Sequence, residues 1–255
     1  MSRAFLRWPD LAAMLDGFLA LFYPNVCQIC RQGRATAKEG YVCSVCSGQR
    51  DGVQFIVEPY CRCCGLPFEG EITVSFECSN CRDERHYFRS ARAAVALSGL
   101  VQEVIHRYKY NQANWFEPFL ADLLVRQAGP ILAREDWDFI VPIPLHWLKL
   151  RERSFNQSTR LAQWVGKQTG IPVNTGLLRR TTATRTQTRL TRAQRAENVK
   201  RAFAYRPRKP LGGGKIILVD DVLTTGATAN ACAKILMQNG ASCVDVWTVA
   251  RGVLR

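Results

Sequence analysis

The stretch Ile216-Ile217-Leu218-Val219-Asp220-Asp221-Val222-Leu223-Thr224-Thr225-Gly226-Ala227-Thr228 determines the fold of this chain. Its first four residues are apolar and mostly β-branched, which predicts a strand buried on both faces of a parallel sheet. Two carboxylates and a turn follow, and the segment 227–238 predicts a helix that ends at Asn239-Gly240. We therefore expect an α/β fold in which helices flank a parallel sheet.

The turn after this strand is predicted to bind an anion. At a helix N-terminus, backbone N–H groups and the helix dipole face the ligand, and threonine hydroxyls add donors. Asp220 and Asp221 come directly before the turn, where they are suited to hold sugar hydroxyls or a hydrated Mg²⁺. The alternative is a strand-to-helix connection without a ligand, in which a threonine caps the helix. Capping needs only one such residue, whereas this stretch has two carboxylates and three threonines in nine positions.

The same residues resemble the phosphoribosyl pyrophosphate motif of type I phosphoribosyltransferases. The resemblance implies that Asp220 and Asp221 hold the ribose 2′ and 3′ hydroxyls, and that Mg²⁺ binds with the phosphoribosyl pyrophosphate. It implies also that the turn wraps the 5′-phosphate through Thr224, Thr225, Gly226, Ala227 and Thr228. The motif identifies this ligand, but it does not identify a reaction.

Positive charge is concentrated in one part of the chain. The formal net charge is +14, and residues 139–210 contain 16 Lys and Arg against two acids, so this block alone accounts for the whole excess. A hydrophobic content of 47% excludes a disordered chain. The basic block predicts an anionic partner, which is nucleic acid, a polyphosphate substrate or a membrane surface.

Four Cys-x-x-Cys pairs in the N-terminal third predict two tetrahedral zinc sites, because four thiolates are enough for each. The redox alternative usually involves a single such pair near a βαβ unit. The spacing leaves the pairing open between two consecutive ribbons and a cross-braced arrangement, and it also allows Cys63 to replace Cys61. Such small modules depend on metal for folding and serve in interaction and scaffolding. The predicted ligands are Cys27, Cys30, Cys43, Cys46, Cys61, Cys64, Cys78 and Cys81.

The domain organisation expected from these patterns has three parts. Residues 1–24 contain an apolar helix, 25–86 form the double zinc ribbon, and 87–255 form the phosphoribosyltransferase-like domain. The helix, over 10–23, is expected to dock on the protein, and the alternative is peripheral contact with a membrane. No run is long enough to span a bilayer and the N-terminus has no signal-peptide pattern, so we expect a cytoplasmic protein, with the inner face of the membrane as the alternative.

Further motifs narrow the resemblance to the ComF family of competence-associated proteins. These motifs are the strand Val141-Pro142-Ile143-Pro144, the stretch from Arg151 to Gln157 and the four cysteine pairs, together with the ribose-phosphate motif. The resemblance implies a phosphoribosyltransferase-like protein with a zinc-binding region that acts in DNA uptake during transformation. Two positions depart from the family, which has glycine in place of Ser154 and near Asn111-Gln112.

Two basic segments are candidates for contacts with the diphosphate. The loop 143–157 follows the first core strand, and the resemblance implies that Arg151 and Arg153 contact pyrophosphate there. The alternative is a solvated basic loop. Segment 177–200 predicts a long mobile loop that closes over the substrate or grips single-stranded DNA. Its candidates are Arg179, Arg180, Gln187, Arg189, Arg192 and Arg195. Lys109 is either a phosphate contact or a helix-dipole partner.

Two functions are consistent with these residues. In the first, a phosphoribosyl group passes to an acceptor that the sequence does not identify, because no residue is recognisable as a general base. In the second, the pocket senses phosphoribosyl pyrophosphate or is vestigial, and the protein is a non-catalytic factor that binds single-stranded DNA. Other DNA-uptake proteins would dock on the zinc module in either case.

Overall fold

The computed structural model describes residues 25–68, 70, 76–82, 84–182, 202–207 and 209–252. The strands in this part of the chain are β1 (Ser90–Ala96), β2 (Phe139–Pro142), β3 (Leu178–Arg180), β4 (Phe203–Tyr205), β5 (Lys215–Leu223) and β6 (Cys243–Arg251). The helices are α1 (Ser44–Gly48), α2 (Ser79–Arg82), α3 (Gly99–Tyr110), α4 (Glu117–Leu132), α5 (Trp147–Arg153), α6 (Gln157–Thr169) and α7 (Ala227–Gln238), and a 3₁₀ turn spans Asn114–Phe116.

Four strands form a parallel sheet in the order β1-β6-β5-β2. The central strand β5 is the one predicted from the apolar run, and Ile216, Ile217, Leu218 and Val219 are all fully buried. Alternate residues of β5 serve different cores: Ile217 and Val219 pack with α3, α4 and α6, whereas Ile216 and Leu218 pack with α7. The expected fold class, a parallel sheet flanked by helices, is therefore confirmed.

The strand β5 is longer than the apolar run. It pairs with β6 as far as Leu223, opposite Arg251, so both carboxylates lie within the strand and not after it. The segment 143–157 also differs from expectation, because it contains the helix α5. The His146 side chain caps that helix by accepting the Leu148 N–H at 3.3 Å, and Ser154 ends it in the left-handed conformation.

The cysteine-rich module covers the outer edge of the sheet. Strand β1 is the edge strand, and the Ala91 N–H donates to the Cys63 carbonyl at 2.7 Å while the Ile56 N–H donates to the Ala94 carbonyl at 3.0 Å. Gly65 has a φ of +64°, and a Cβ at this position would lie 2.6 Å from the Ala91 carbonyl oxygen. Glycine is required there for both reasons, and the covered edge is protected from pairing with another chain.

Part of the predicted organisation lies outside the described residues. This applies to the helix over 10–23 and to Gln187, Arg189, Arg192 and Arg195 of the basic loop. The ends of that loop are described: β3 and β4 pair antiparallel, with Arg180 opposite Phe203. None of the helices in the described ranges is both long and apolar enough to cross a membrane.

Candidate functional site

The eight predicted cysteine ligands form two separate clusters. Within each cluster, all four sulfur atoms lie within 4.8 Å of one another. The sulfurs of Cys61 and Cys81 are 3.9 Å apart, and those of Cys64 and Cys78 are 3.7 Å apart. A tetrahedron with Zn–S bonds of ~2.3 Å has edges of ~3.8 Å, so these sulfurs fit a zinc ion without rearrangement. The first two Cys-x-x-Cys pairs form one cluster and the last two form the other, as in the consecutive arrangement and not the cross-braced one. The first quartet is Cys27, Cys30, Cys43 and Cys46, and the second quartet is Cys61, Cys64, Cys78 and Cys81.

Backbone N–H groups prepare the sulfurs for metal binding. The Cys43 N–H donates to the Cys27 sulfur and the Gly33 N–H to the Cys30 sulfur, each at 3.3 Å. Donation by the Gly33 and Gln32 N–H groups lowers the pKa of the Cys30 thiol to about 6. The ninth cysteine of this region, Cys63, is outside both quartets. Zinc in these sites would act structurally, since every ligand position is filled by cysteine.

Asp220 and Asp221 are both engaged by protein groups at the carboxyl end of β5. Asp220 Oδ1 accepts hydrogen bonds from the Ser158 hydroxyl at 2.7 Å and from the Asp221 N–H at 2.9 Å. Asp221 is buried, and its Oδ1 lies 2.8 Å from Lys109 Nζ. The paired acids therefore face donors from two helices, α6 for Asp220 and α3 for Asp221.

The electrostatic surroundings perturb the titration of Asp220. Burial, followed by the charge of Asp221, raises the pKa of the Asp220 carboxyl from 3.8 to about 6, although Lys109 and the Ser158 hydroxyl act in the opposite direction. This carboxylate therefore gains from a cation or from hydroxyl donors supplied by a ligand.

Cations cluster beside these acids. Burial, and then the charges of Arg180 and Arg153, lower the pKa of Lys149, so each of these two arginines lies near Lys149. Asp220 is among the charges that act on Arg180. The cluster is therefore suited to hold an anion with several charges, such as a diphosphate.

Arg153 and Arg151 have different surroundings, although they are two residues apart. Arg153 is 8% exposed, and it lies over the Tyr110 ring and donates to Gln157 Oε1 at 3.3 Å. Its Nε and the Gln157 Nε2 are buried with no hydrogen-bond partner among the described residues. Arg151 is exposed, and its guanidinium lies 6.0 Å from the centre of the Trp147 ring. Arg153 therefore belongs to the cation cluster, and Arg151 lies on the outer face of α5.

The turn Thr224 to Thr228 leads into α7 as the sequence predicts. Gly226 occupies the N-cap with a φ of 78°, and the Thr225 hydroxyl accepts the Ala227 N–H at 3.3 Å. Strand β6 supplies a residue that the sequence does not identify: the Arg251 guanidinium donates to the carbonyl oxygens of Leu223 and Thr224. Strand, turn and helix together form the arrangement that binds phosphate in many α/β proteins.

Sequence reasoning missed Ser158, Lys149 and Arg251 as residues of this site. Ser158 directly follows Asn156-Gln157 in a recognised motif, so its position could have indicated it. Lys149 and Arg251 have no local signal, because their proximity to the site depends on how α5 and β6 pack.

The two departures from the family's glycines coincide with unusual backbone. Ser154 has a φ of 65° and Gln112 a φ of 53°, and both values lie in the left-handed region that favours glycine. The chain therefore keeps the backbone conformation that glycine would allow, with a side chain in place of the glycine.

Known proteins resemble this chain along most of its length. A model of the double zinc ribbon domain family matches residues 18–85. The DNA utilization protein YhgH of Salmonella typhimurium is 31% identical over 91% of this chain and 99% of that relative. Competence protein F of Haemophilus influenzae is 30% identical over 90% of this chain and 98% of that relative. Adenine phosphoribosyltransferase of Leishmania tarentolae is 16% identical, with a TM-score of 0.31, over 55% of this chain and 58% of that structure.

Proposed function

This chain belongs to the ComF family, which includes competence protein F and the DNA utilization protein YhgH, and on that basis we propose that it binds Mg²⁺-phosphoribosyl pyrophosphate and acts in the uptake or use of DNA. One observation carries the proposal: two adjacent carboxylates lie in the last part of the buried parallel strand β5, beside the turn Thr224 to Thr228 and a cluster of cations. Each of these three parts matches one part of the ligand, which has a ribose, a 5′-phosphate and a diphosphate.

The turn and the paired acids would hold the phosphoribosyl group. The N–H groups at the start of α7 and the threonine hydroxyls donate to the 5′-phosphate. Asp220 and Asp221 accept hydrogen bonds from the ribose hydroxyls. Lys109, which pairs with Asp221 in the free protein, would then be available to contact a phosphate oxygen of the ligand.

The diphosphate would lie against Lys149, Arg153 and Arg180. The unpartnered Nε of Arg153 supports this placement, because a buried guanidinium gains most from an acceptor that completes its hydrogen bonds. Mg²⁺ brought with the ligand neutralises part of the diphosphate charge. Transfer of the phosphoribosyl group would release pyrophosphate, so pyrophosphate release in the presence of cell extract is the assay for catalysis.

Isothermal titration calorimetry with Mg²⁺-phosphoribosyl pyrophosphate tests the proposal. We expect Asp221→Asn to weaken binding at least tenfold, since a charge-assisted hydrogen bond contributes about 1.5–3 kcal/mol. The matched control is Asp122→Asn, because Asp122 forms an exposed ion pair with Arg126 on α4 and should not affect binding. Absence of binding to the unaltered protein at millimolar ligand contradicts the proposal.

A second candidate function is binding of single-stranded DNA on the outer face of α5. Trp147 is 55% exposed and lies beside the Arg151 guanidinium, and exposed aromatic rings next to cations are typical of surfaces on which bases stack. Within α5 itself, Lys149, Arg151 and Arg153 add positive charge that attracts phosphates.

Fluorescence anisotropy with a labelled oligonucleotide tests this second function. Trp147→Ala should weaken binding by about 1–3 kcal/mol, and binding by the unaltered protein should fall steeply with salt. Met237→Ala is the control, because Met237 is a partly exposed apolar residue on α7. Equal binding by both variants would exclude the α5 surface.

A further inference from the structure

Arg251, the last residue of β6, connects the second cysteine quartet (Cys61, Cys64, Cys78 and Cys81) to the turn Thr224 to Thr228. It is 5% exposed. Its Nε donates to the Cys64 carbonyl at 3.1 Å, and its Nη2 lies 3.6 Å from the Cys64 sulfur, which is one of the four sulfurs of that quartet. Its Nη1 donates to the carbonyl of Leu223 at 3.0 Å and to that of Thr224. One side chain therefore contacts both sites.

The charge of this guanidinium needs compensation. A buried arginine is costly unless an opposite charge lies nearby. Among the described residues, the Arg251 guanidinium donates to backbone carbonyls and to the Cys64 sulfur, and to no carboxylate. Four thiolates around Zn²⁺ carry a formal charge of about −2. Zinc bound in this quartet would therefore supply the countercharge of Arg251, and that countercharge would be lost with the metal.

The carbonyl contacts orient the turn. In a trans peptide, the C=O and the following N–H point in opposite directions. Because Arg251 attracts the carbonyls of Leu223 and Thr224, the N–H groups of Thr224 and Thr225 are directed away from it, toward the opposite side of the turn. These two donors come directly before the N-terminus of α7, whose own N–H groups continue the same anion-binding surface.

We propose that Arg251 is a positioning residue that couples the second zinc site to the 5′-phosphate turn, so that metal and phosphoribosyl ligand strengthen each other's binding. This inference rests on the proposed function for its ligand. Coupling is reciprocal: if zinc in this quartet improves ligand affinity by some factor, the ligand improves retention of that zinc by the same factor. The contacts of Arg251 with a cysteine are to Cys64 of the second quartet, so the first quartet, Cys27 to Cys46, should not respond.

The experiment uses the full-length protein loaded with zinc and the variants Arg251→Gln and Arg251→Lys. The control is Arg62→Gln, because Arg62 is an exposed arginine of the second ribbon whose guanidinium pairs with the Glu77 carboxylate. Zinc loss during a chelator challenge is followed by alkylation of the freed cysteines. Mass spectrometry then separates peptides with Cys61 and Cys64 from those of the first quartet. Affinity for phosphoribosyl pyrophosphate is measured by calorimetry.

We expect Arg251→Gln to lose zinc from the second quartet at least about tenfold faster, the usual effect of removing an outer contact of a metal site. It should also bind phosphoribosyl pyrophosphate about tenfold more weakly, and the ligand should no longer slow zinc loss. Arg251→Lys restores the positive charge, so it should retain zinc better than Arg251→Gln. It lacks the several N–H donors of the planar guanidinium, so it should still bind the ligand weakly. Arg62→Gln should match the unaltered protein.

The inference is wrong if Arg251→Gln keeps either normal zinc retention or normal ligand affinity, because coupling requires that both change. It is also wrong if Arg251→Gln loses zinc equally from both quartets, because that result indicates a general loss of folding. If the unaltered protein does not bind phosphoribosyl pyrophosphate, the proposed function fails. Selective zinc loss from the second quartet would then still show that Arg251 supports the metal site, and unselective loss would refute that too.

Discussion

Replacing Asp220 with asparagine is expected to stabilise the ligand-free protein at neutral pH. Burial and the charge of Asp221 raise the pKa of Asp220 from 3.8 to about 6, so the folded state binds this proton more tightly than the unfolded state does. Stability therefore decreases as pH rises from about 4 to 6, and above pH 6 the whole penalty of the buried charge remains. Asparagine has no charge, and its oxygen can still accept the Ser158 hydrogen bond.

The magnitude follows from the two pKa values. Each tenfold change in proton affinity corresponds to ~1.4 kcal/mol, so the full penalty is at most about 3 kcal/mol, and partial exposure of Asp220 reduces it. Between pH 5 and pH 7, the folded state releases most of this proton. Across that interval, the advantage of Asp220→Asn over the unaltered protein should grow by roughly 1 kcal/mol.

Urea denaturation at several pH values between 5 and 8, with zinc present throughout, measures this difference. The control is Asp122→Asn, whose exposed carboxyl lies on α4, and its difference from the unaltered protein should stay constant with pH. The reasoning is refuted if the free energy of unfolding of Asp220→Asn relative to the unaltered protein does not change with pH, or decreases as pH rises.

Three further predictions concern other parts of the molecule. Ser154→Gly should raise the free energy of unfolding by about 1 kcal/mol, because Ser154 has a φ of 65°; an unchanged or lower melting temperature would contradict this. Lys109→Met should destabilise the protein by about 1–3 kcal/mol by leaving Asp221 buried and unpaired, and adding Asp221→Asn should recover part of that loss in a double-mutant cycle. Cys78→Ser should remove one zinc ion per chain in a metal assay, whereas Cys243→Ser, which lies outside both quartets, should remove none.

Features that depend on local sequence were predictable. The strand, turn and helix around Asp220 follow from residues that are adjacent in the chain, and the helix predicted over 227–238 has those bounds in the structure. The two quartets follow from cysteine spacing, although the spacing left their pairing open. The sequence placed the end of the strand too early, because β5 continues as far as its hydrogen-bonded neighbour β6 allows.

Features that depend on packing between distant residues were not predictable. Arg251 and Cys64 are 187 residues apart, and neither residue indicates the other. The sequence does not distinguish Arg151 from Arg153 as a phosphate contact. On a helix, however, side chains two positions apart point in different directions. One is consequently buried against Tyr110 and the other is exposed. The positive charge of the sequence predicts that the protein binds an anion. Which cations line the site depends on how the helices and strands pack.

The central claim is that the carboxyl end of β5 and the turn 224–228 bind a phosphorylated ribose. A crystal structure with Mg²⁺-phosphoribosyl pyrophosphate tests this claim most directly. We predict that the 5′-phosphate lies on the N–H groups of the turn, that the ribose hydroxyls lie against Asp220 and Asp221, and that the diphosphate extends toward Lys149 and Arg153. Ligand density at another place, or an empty turn at saturating ligand, would contradict the claim.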